Sequence, residues 1–196
     1  MKVANVNIYG FDESVKGAKF PMSVDTSALN CEITNGIDTL GKAEIGAGHD
    51  NFLNGIIVQF DLTCTNKMLV EMERYHFIDF VSSQSTMHRA AKMNLSECFN
   101  SYVTRDVLDI CMWLQEEYNK NPSIENYLTL LYNLPSGMEL TARMTTNYRQ
   151  LKTIYRQRKD HRLPEWREFC RWLETLPHSE WITRKENECT TEPLKS

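Results

Sequence analysis

This 196-residue sequence lacks the short motifs that identify the best-known enzyme chemistries. It has no GxGxxG, no GxxxxGK[ST] phosphate loop and no GxSxG nucleophile elbow. Its six cysteines (Cys31, Cys64, Cys98, Cys111, Cys170 and Cys189) are scattered, with no CxxC pair and no close histidine partner. Zinc-ligand spacing is therefore absent, and reduced, mostly buried thiols are expected. Five histidines form no HExxH, so no metal site is expected. No apolar run is long enough to cross a membrane, and the start MKVANVNIYG has no signal-peptide core. A cytoplasmic location follows as the expectation. The formal charge of −4 argues against broad binding of polymeric nucleic acid, but leaves room for a small anionic ligand held by a local basic cluster.

The composition is that of a globular protein, 41% hydrophobic and 24% charged, and the length suits one core. The expected architecture is a single α+β domain over residues 1–183, followed by a polar flexible tail at 184–196. Residues 2–9 alternate weakly and suit an edge strand. Residues 12–35 show no clear period and read as loop. Residues 37–45 suit a short helix ending at Gly46 and Gly48. Residues 55–63 (GIIVQFDLT) form the clearest strand, Thr65 or Asn66 caps a helix to about Arg74, and residues 76–81 read as a second strand. The C-terminal half reads as mainly helical, with helices over 105–119, from Ser123 to about Leu134, and over 165–176 after Pro164.

Residues 134–161 read as one long helix after the break at Pro135, Ser136 and Gly137. At helical spacing one face carries Leu140, Met144, Asn147, Leu151, Ile154, Arg158 and His161. Three polar residues on one apolar seam need partners, because unpartnered burial is costly. Two readings stay open. Either the helix lines a site, or Asn147 caps or bonds a neighbour while Arg158 and His161 reach for water, an acid such as Glu139 or Asp160 being the other partner open to Arg158.

Three stretches could carry chemistry. GAGHDNFLN (46–54) suits a close backbone approach to a ligand and equally a strand-entry turn. RYHFIDFVSSQSTMHR (74–89) is dense in hydroxyls that can face phosphate or a base carbonyl, or satisfy their own backbone. Residues 143–167 hold six arginines, two lysines and His161, much of it a solvated face.

These blocks resemble, in order, the flavin-dependent thymidylate synthases, the ThyX family. GHDNFLNGIIVQFDL is similar to the family's GHxSxxEH entry and following strand. YHFIDFVSSQSTMHR stands where the family has RHRxxSxNExSxRY. The run LP, Asn147, Arg149, Arg158, His161 and Trp166 resembles its LP…NxR…R…H…W pattern, so that the likeness spans residues 40–175. Tyr75 and Phe77 replace two signature arginines, Met87 replaces the last, Asn54 and Gly55 replace the entry EH, and Leu131 replaces a basic residue before LP.

The resemblance implies a ThyX-like mixed sheet flanked by helices. It also implies reductive methylation of a pyrimidine deoxynucleotide of the dUMP class. FAD is the implied cofactor, with NADPH and methylenetetrahydrofolate as co-substrates. Arg158 and Ser85 are the implied catalytic residues. Ser83, Gln84, Ser85 and Arg158 would bind substrate, and His49, His76, Asn147, Arg149 and His161 the flavin. A homo-oligomer, most often four chains, goes with it. The alternative is a diverged protein of this fold that modifies another nucleobase, or that binds nucleotides or partners without catalysis.

Overall fold

The structure is a computed structural model and describes residues 1–183; the expected tail lies outside the described residues. Four strands form one sheet in the order β1-β2-β4-β3: β1 (Lys2–Tyr9), β2 (Ile57–Thr65), β3 (Ile78–Ser83) and β4 (Glu139–Asn147). Every pairing is antiparallel, where a mixed sheet was the expectation. The α+β class stands, since the rest of the described chain is helices and loops.

Strict alternation builds the two central strands. Val58, Phe60, Leu62 and Cys64 of β2 are fully buried, and opposite them in register lie Thr146, Met144, Ala142 and Leu140 of β4, also buried. Gln59, Asp61, Thr63, Thr141, Arg143 and Thr145 face the other way. Arg143 there pairs with Asp61 at 3.1 Å, and the hydroxyls of Thr63 and Thr141 meet at 2.7 Å.

β4 overturns the single helix expected over residues 134–161. The spacing of four between Leu140 and Met144 is even, so it fits one face of a strand as well as one face of a helix. Ala142 and Thr146 decide between them: both are buried, which only a period of two allows. The β-branched Thr141, Thr145 and Thr146 favour the same outcome. The helix proper is α7 (Tyr148–Arg158), and Asn147 is the joint. Its backbone is extended and its Oδ1 accepts from the Gln150 amide at 2.8 Å, a side-chain N-cap.

The remaining helices are α1 (Phe11–Ala18), α2 (Asn35–Gly41), α3 (Asn66–Met72), α4 (Thr86–Arg89), α5 (Arg105–Lys120), α6 (Ile124–Asn133), α8 (Pro164–Leu173) and α9 (Glu180–Thr183). α1 lies in a segment expected to be loop. Thr65 caps α3 through the Met68 amide, and Ser123 caps α6 through the Asn126 amide. Pro164 opens α8 at a position where its missing N–H costs nothing.

Two apolar clusters hold the fold. The larger packs the buried sheet face against Tyr148, Leu151 and Ile154 of α7, Trp166, Phe169 and Leu173 of α8, and Trp181 of α9. Full burial of each such side chain is worth about 1.5–3 kcal/mol. The smaller joins Ala90 and Leu95 to Cys111 and Leu114 of α5, Leu130 of α6, and Met138 and Leu140. The Glu165 carboxylate ties the end of β2 to α8, taking the Thr65 N–H at 2.8 Å and its hydroxyl at 2.7 Å. Among the described residues no helix is long and apolar enough to cross a membrane.

Candidate functional site

The edge strand β3 runs out at Ser83 into a cleft of about 610 Å³, lined by Ser83, Gln84, Ser85, His88, Arg89, Lys92 and Met93. Gln84 continues the sheet by other means. Its N–H donates to the Thr141 carbonyl at 2.9 Å, and its side-chain oxygen accepts from the Thr141 N–H at 2.9 Å. That double bond fixes where Ser83 and Ser85 stand. Ser85 occupies the cap position of α4, yet its hydroxyl makes no cap bond. The segment then turns through α4 and a 3-10 turn (Ala90–Lys92), which places His88, Arg89 and Lys92 on the cleft.

Arg89 and Lys92 stand together on this cleft with no carboxylate among its walls. Among the described residues the side chains of His88, Arg89 and Lys92 form no ion pair and no hydrogen bond, as is also true of Lys2, Arg74, Lys159, Arg162 and Arg171, whereas Lys16, Lys42, Lys67, Arg105, Lys120, Arg143, Arg149, Lys152 and Arg158 all have carboxylate partners. The sequence has no Asp or Glu between Asp79 and Glu97. Cationic side chains beside serine hydroxyls have the chemistry to attract an anion rich in acceptor oxygens, such as phosphate. Ser83, Gln84 and Ser85 are thus brought together as expected. His88, Arg89 and Lys92 are absent from the expected set, although two cations in a stretch without Asp or Glu mark this segment in the sequence.

Arg158 lies elsewhere. Its Nε donates to the Tyr75 hydroxyl at 2.6 Å, and one terminal nitrogen lies 3.5 Å from Glu71 and 2.8 Å from His161 Nε2. Its guanidinium also sits over the rings of Tyr75 and Trp166, 5.3 and 4.8 Å from their centroids. The ion-pair reading of Arg158 is the one observed, with Glu71 as the acid in place of Glu139 or Asp160. Burial would raise the Glu71 carboxyl, but the Trp166 N–H and the Lys67 ammonium outweigh it and hold that group below the usual carboxylate range. His161 Nδ1 accepts from the Leu163 amide at 3.2 Å, which leaves the ring proton on Nε2, the nitrogen that lies against Arg158.

A second cavity, of about 990 Å³, adjoins this cluster; Glu71, Tyr102, Glu139, His161, Arg162 and Glu165 are among its walls. It mixes carboxylates with cations and so points to no single ligand charge. Among the described residues no group of three or more His, Cys, Asp or Glu could hold a metal ion.

Of the side chains expected to grip a flavin, His161 alone lines either of these two cavities. His49 and His76 are exposed and line neither cavity. Asn147 is spent on capping α7. Arg149 Nε lies 3.3 Å from Oδ1 of the fully buried Asp50, close enough for charge attraction though not aligned as a hydrogen bond. Lys152 holds Asp50 Oδ2 at 3.0 Å and the carbonyls of Gly41 and Ala43.

No family model matches the sequence, and no curated protein matches it. Solved structures do match. A crystal structure of the flavin-dependent thymidylate synthase ThyX from Helicobacter pylori complexed with FAD and dUMP superposes with a TM-score of 0.65 at 16% identity, over 93% of this chain and 97% of that one. Another structure of Thymidylate Synthase X from Helicobacter pylori with FAD and dUMP gives a TM-score of 0.69 at 15% identity, over 93% and 96%. The chain has the ThyX fold.

Proposed function

We propose that this protein binds a pyrimidine deoxynucleotide of the dUMP class, with the phosphate seated in the cleft at the end of β3. The observation that carries the reading is the pair of cationic side chains without ion-pair partners, Arg89 and Lys92, set with the His88 imidazole beside Ser83 and Ser85. The signature arginine position is taken by Met87, so the anion-holding charge has moved along the segment to Arg89 and Lys92. Calorimetric titration tests this with dUMP and deoxyuridine on the unmutated protein and on the Arg89→Ala, Lys92→Ala double variant. dUMP should bind at least tenfold more tightly than deoxyuridine, and the double variant should lose that margin. Equal affinity for the two ligands sinks the reading.

A second reading adds catalysis: flavin-dependent reductive methylation of the nucleotide, with methylenetetrahydrofolate as one-carbon donor and NADPH as reductant. The likeness to structures complexed with FAD and dUMP favours it. A flavin site on this fold would draw His49, His76, Asn147, Arg149 and His161 from more than one copy, so this reading requires a homo-oligomer, with four chains and dihedral symmetry as the proposed assembly. Phe77, Phe80, Val81 and Met87, all exposed along β3 and α4, would be covered in such an assembly. A cytoplasmic location goes with it. A yellow preparation that sediments as a tetramer supports this reading. A colourless monomer that takes up no added FAD leaves the nucleotide-binding reading alone standing.

A further inference from the structure

The segment that carries the cleft cations is held by side chains from another part of the fold. Gln115, on α5, donates from Nε2 to the carbonyls of Ala90 at 2.7 Å and Met93 at 2.8 Å. Those two residues bracket Lys92, and Ala90 follows Arg89. Asn119, one turn further along α5, reaches the Ala91 carbonyl at 3.4 Å. From α6 the Tyr127 hydroxyl meets the carbonyls of Met87 at 2.7 Å and Thr86 at 3.1 Å. Burial and the neighbouring Tyr118 push that phenol above its ordinary range, so it remains a donor.

We infer that Gln115, seconded by Tyr127, is the positioning residue of the anion cleft: it fixes the backbone from which Arg89 and Lys92 project. The inference rests on the nucleotide reading above. Its physical content is preorganisation. Arg89 and Lys92 are exposed side chains with no partner of their own, so only their backbone can hold them convergent before an anion arrives. A primary amide suits the task because its two N–H groups serve two carbonyls at once. A carboxylate there would oppose both carbonyl oxygens and compete for the two cations. The hairpin itself is anchored, since Cys111 and Leu114 on α5 and Leu130 on α6 are buried in the smaller core beside Ala90 and Leu95.

The test uses the full chain with Gln115→Met, which keeps length and volume but donates nothing, and Tyr127→Phe as an independent variant at the other end of the clamp. Calorimetry reads the affinity ratio of dUMP to deoxyuridine, and hydrogen exchange reads the amides of residues 86–93. The expected result is a ratio lowered about tenfold in Gln115→Met, with affinity for deoxyuridine unchanged and exchange faster only in that segment. A merely structural loss would weaken both ligands together. An unchanged ratio in a folded Gln115→Met overturns the inference and leaves the nucleotide reading intact. Unmutated protein that does not prefer dUMP overturns both. If Gln115→Met does not fold, Tyr127→Phe decides: a lowered ratio supports the clamp and an unchanged one overturns it.

Discussion

Arg158 and Tyr75 are 83 positions apart in the chain, yet the Arg158 Nε donates to the Tyr75 hydroxyl at 2.6 Å and its guanidinium lies over the same ring. The Trp166 ring lies under the same guanidinium, 4.8 Å away, so this cation is gathered into the protein's own aromatic cluster.

Arg158→Lys is accordingly a stability variant. The lysine keeps charge but loses the planar stacking surface and the Nε donor, at a cost of about 1–3 kcal/mol. Urea unfolding should show that loss, while dUMP affinity at the β3 cleft stays within twofold. A large loss of nucleotide affinity with unchanged stability would return Arg158 to the ligand site.

Glu71 gives this cluster a pH dependence. Its folded-state carboxyl is held below the ordinary value of 4.5. A depressed acid contributes stability that is present above its unfolded pKa and is lost as pH falls through the folded one. The difference in stability between the unmutated protein and Glu71→Gln should therefore be constant near neutrality and shrink as pH drops below about 4.5. Denaturation curves from pH 3 to 7 measure it, and a difference independent of pH would contradict the assignment.

Asp50 is fully buried between Lys152 and Arg149. Asp50→Ala takes the carboxylate away from the buried Lys152 ammonium, at a cost on the order of 3–5 kcal/mol. Thermal unfolding should register this as one of the most damaging single changes in the chain. A drop of only a degree or two would mean that the carboxylate contributes little.

Gly41 admits no larger residue. A methyl group there would stand 2.6 Å from the Trp181 ring, which cannot retreat because it stacks on Phe11 and His178 and its N–H is bonded to Asp38 at 3.0 Å. Gly41→Ala should cost about 1–3 kcal/mol by overpacking, despite alanine's better helix propensity. A calorimetric melt compares the two proteins, and a stabilised variant would refute the packing argument.

Much of this was legible in the sequence where a single period or cap signal applied. β2 announces itself by alternation, and α3, α6 and α8 by Thr65, Ser123 and Pro164. β4 was not, because Leu140 and Met144 satisfy two periods at once and run on at helical spacing into Leu151 and Ile154 of α7. Asn147 showed as a polar residue on an apolar seam, and its capping role was one of the two readings that seam allowed. Ser83, Gln84 and Ser85 could be named from local chemistry and resemblance. Arg89 and Lys92 were harder, because a cation's importance here lies in having no partner, and partners come from distant parts of the chain. The clamp by Gln115 and Tyr127 is invisible to local reading for the same reason.

The register of β2 on β4 also sets an order of events during synthesis. β2 pairs with β1 on one side, but its other edge waits for residues 139–147, and the hydroxyls of Thr63 and Thr141 that meet across that edge are 78 positions apart. At 5–20 residues per second the ribosome takes roughly 4–16 s to make that interval. Throughout that time the most apolar strand of the protein has one edge open. The α5–α6 hairpin is made within the same interval, from contacts close in sequence. Local helical pairings form faster than distant strand pairings, and the cluster they build is the one that Met138 and Leu140, at the start of β4, join.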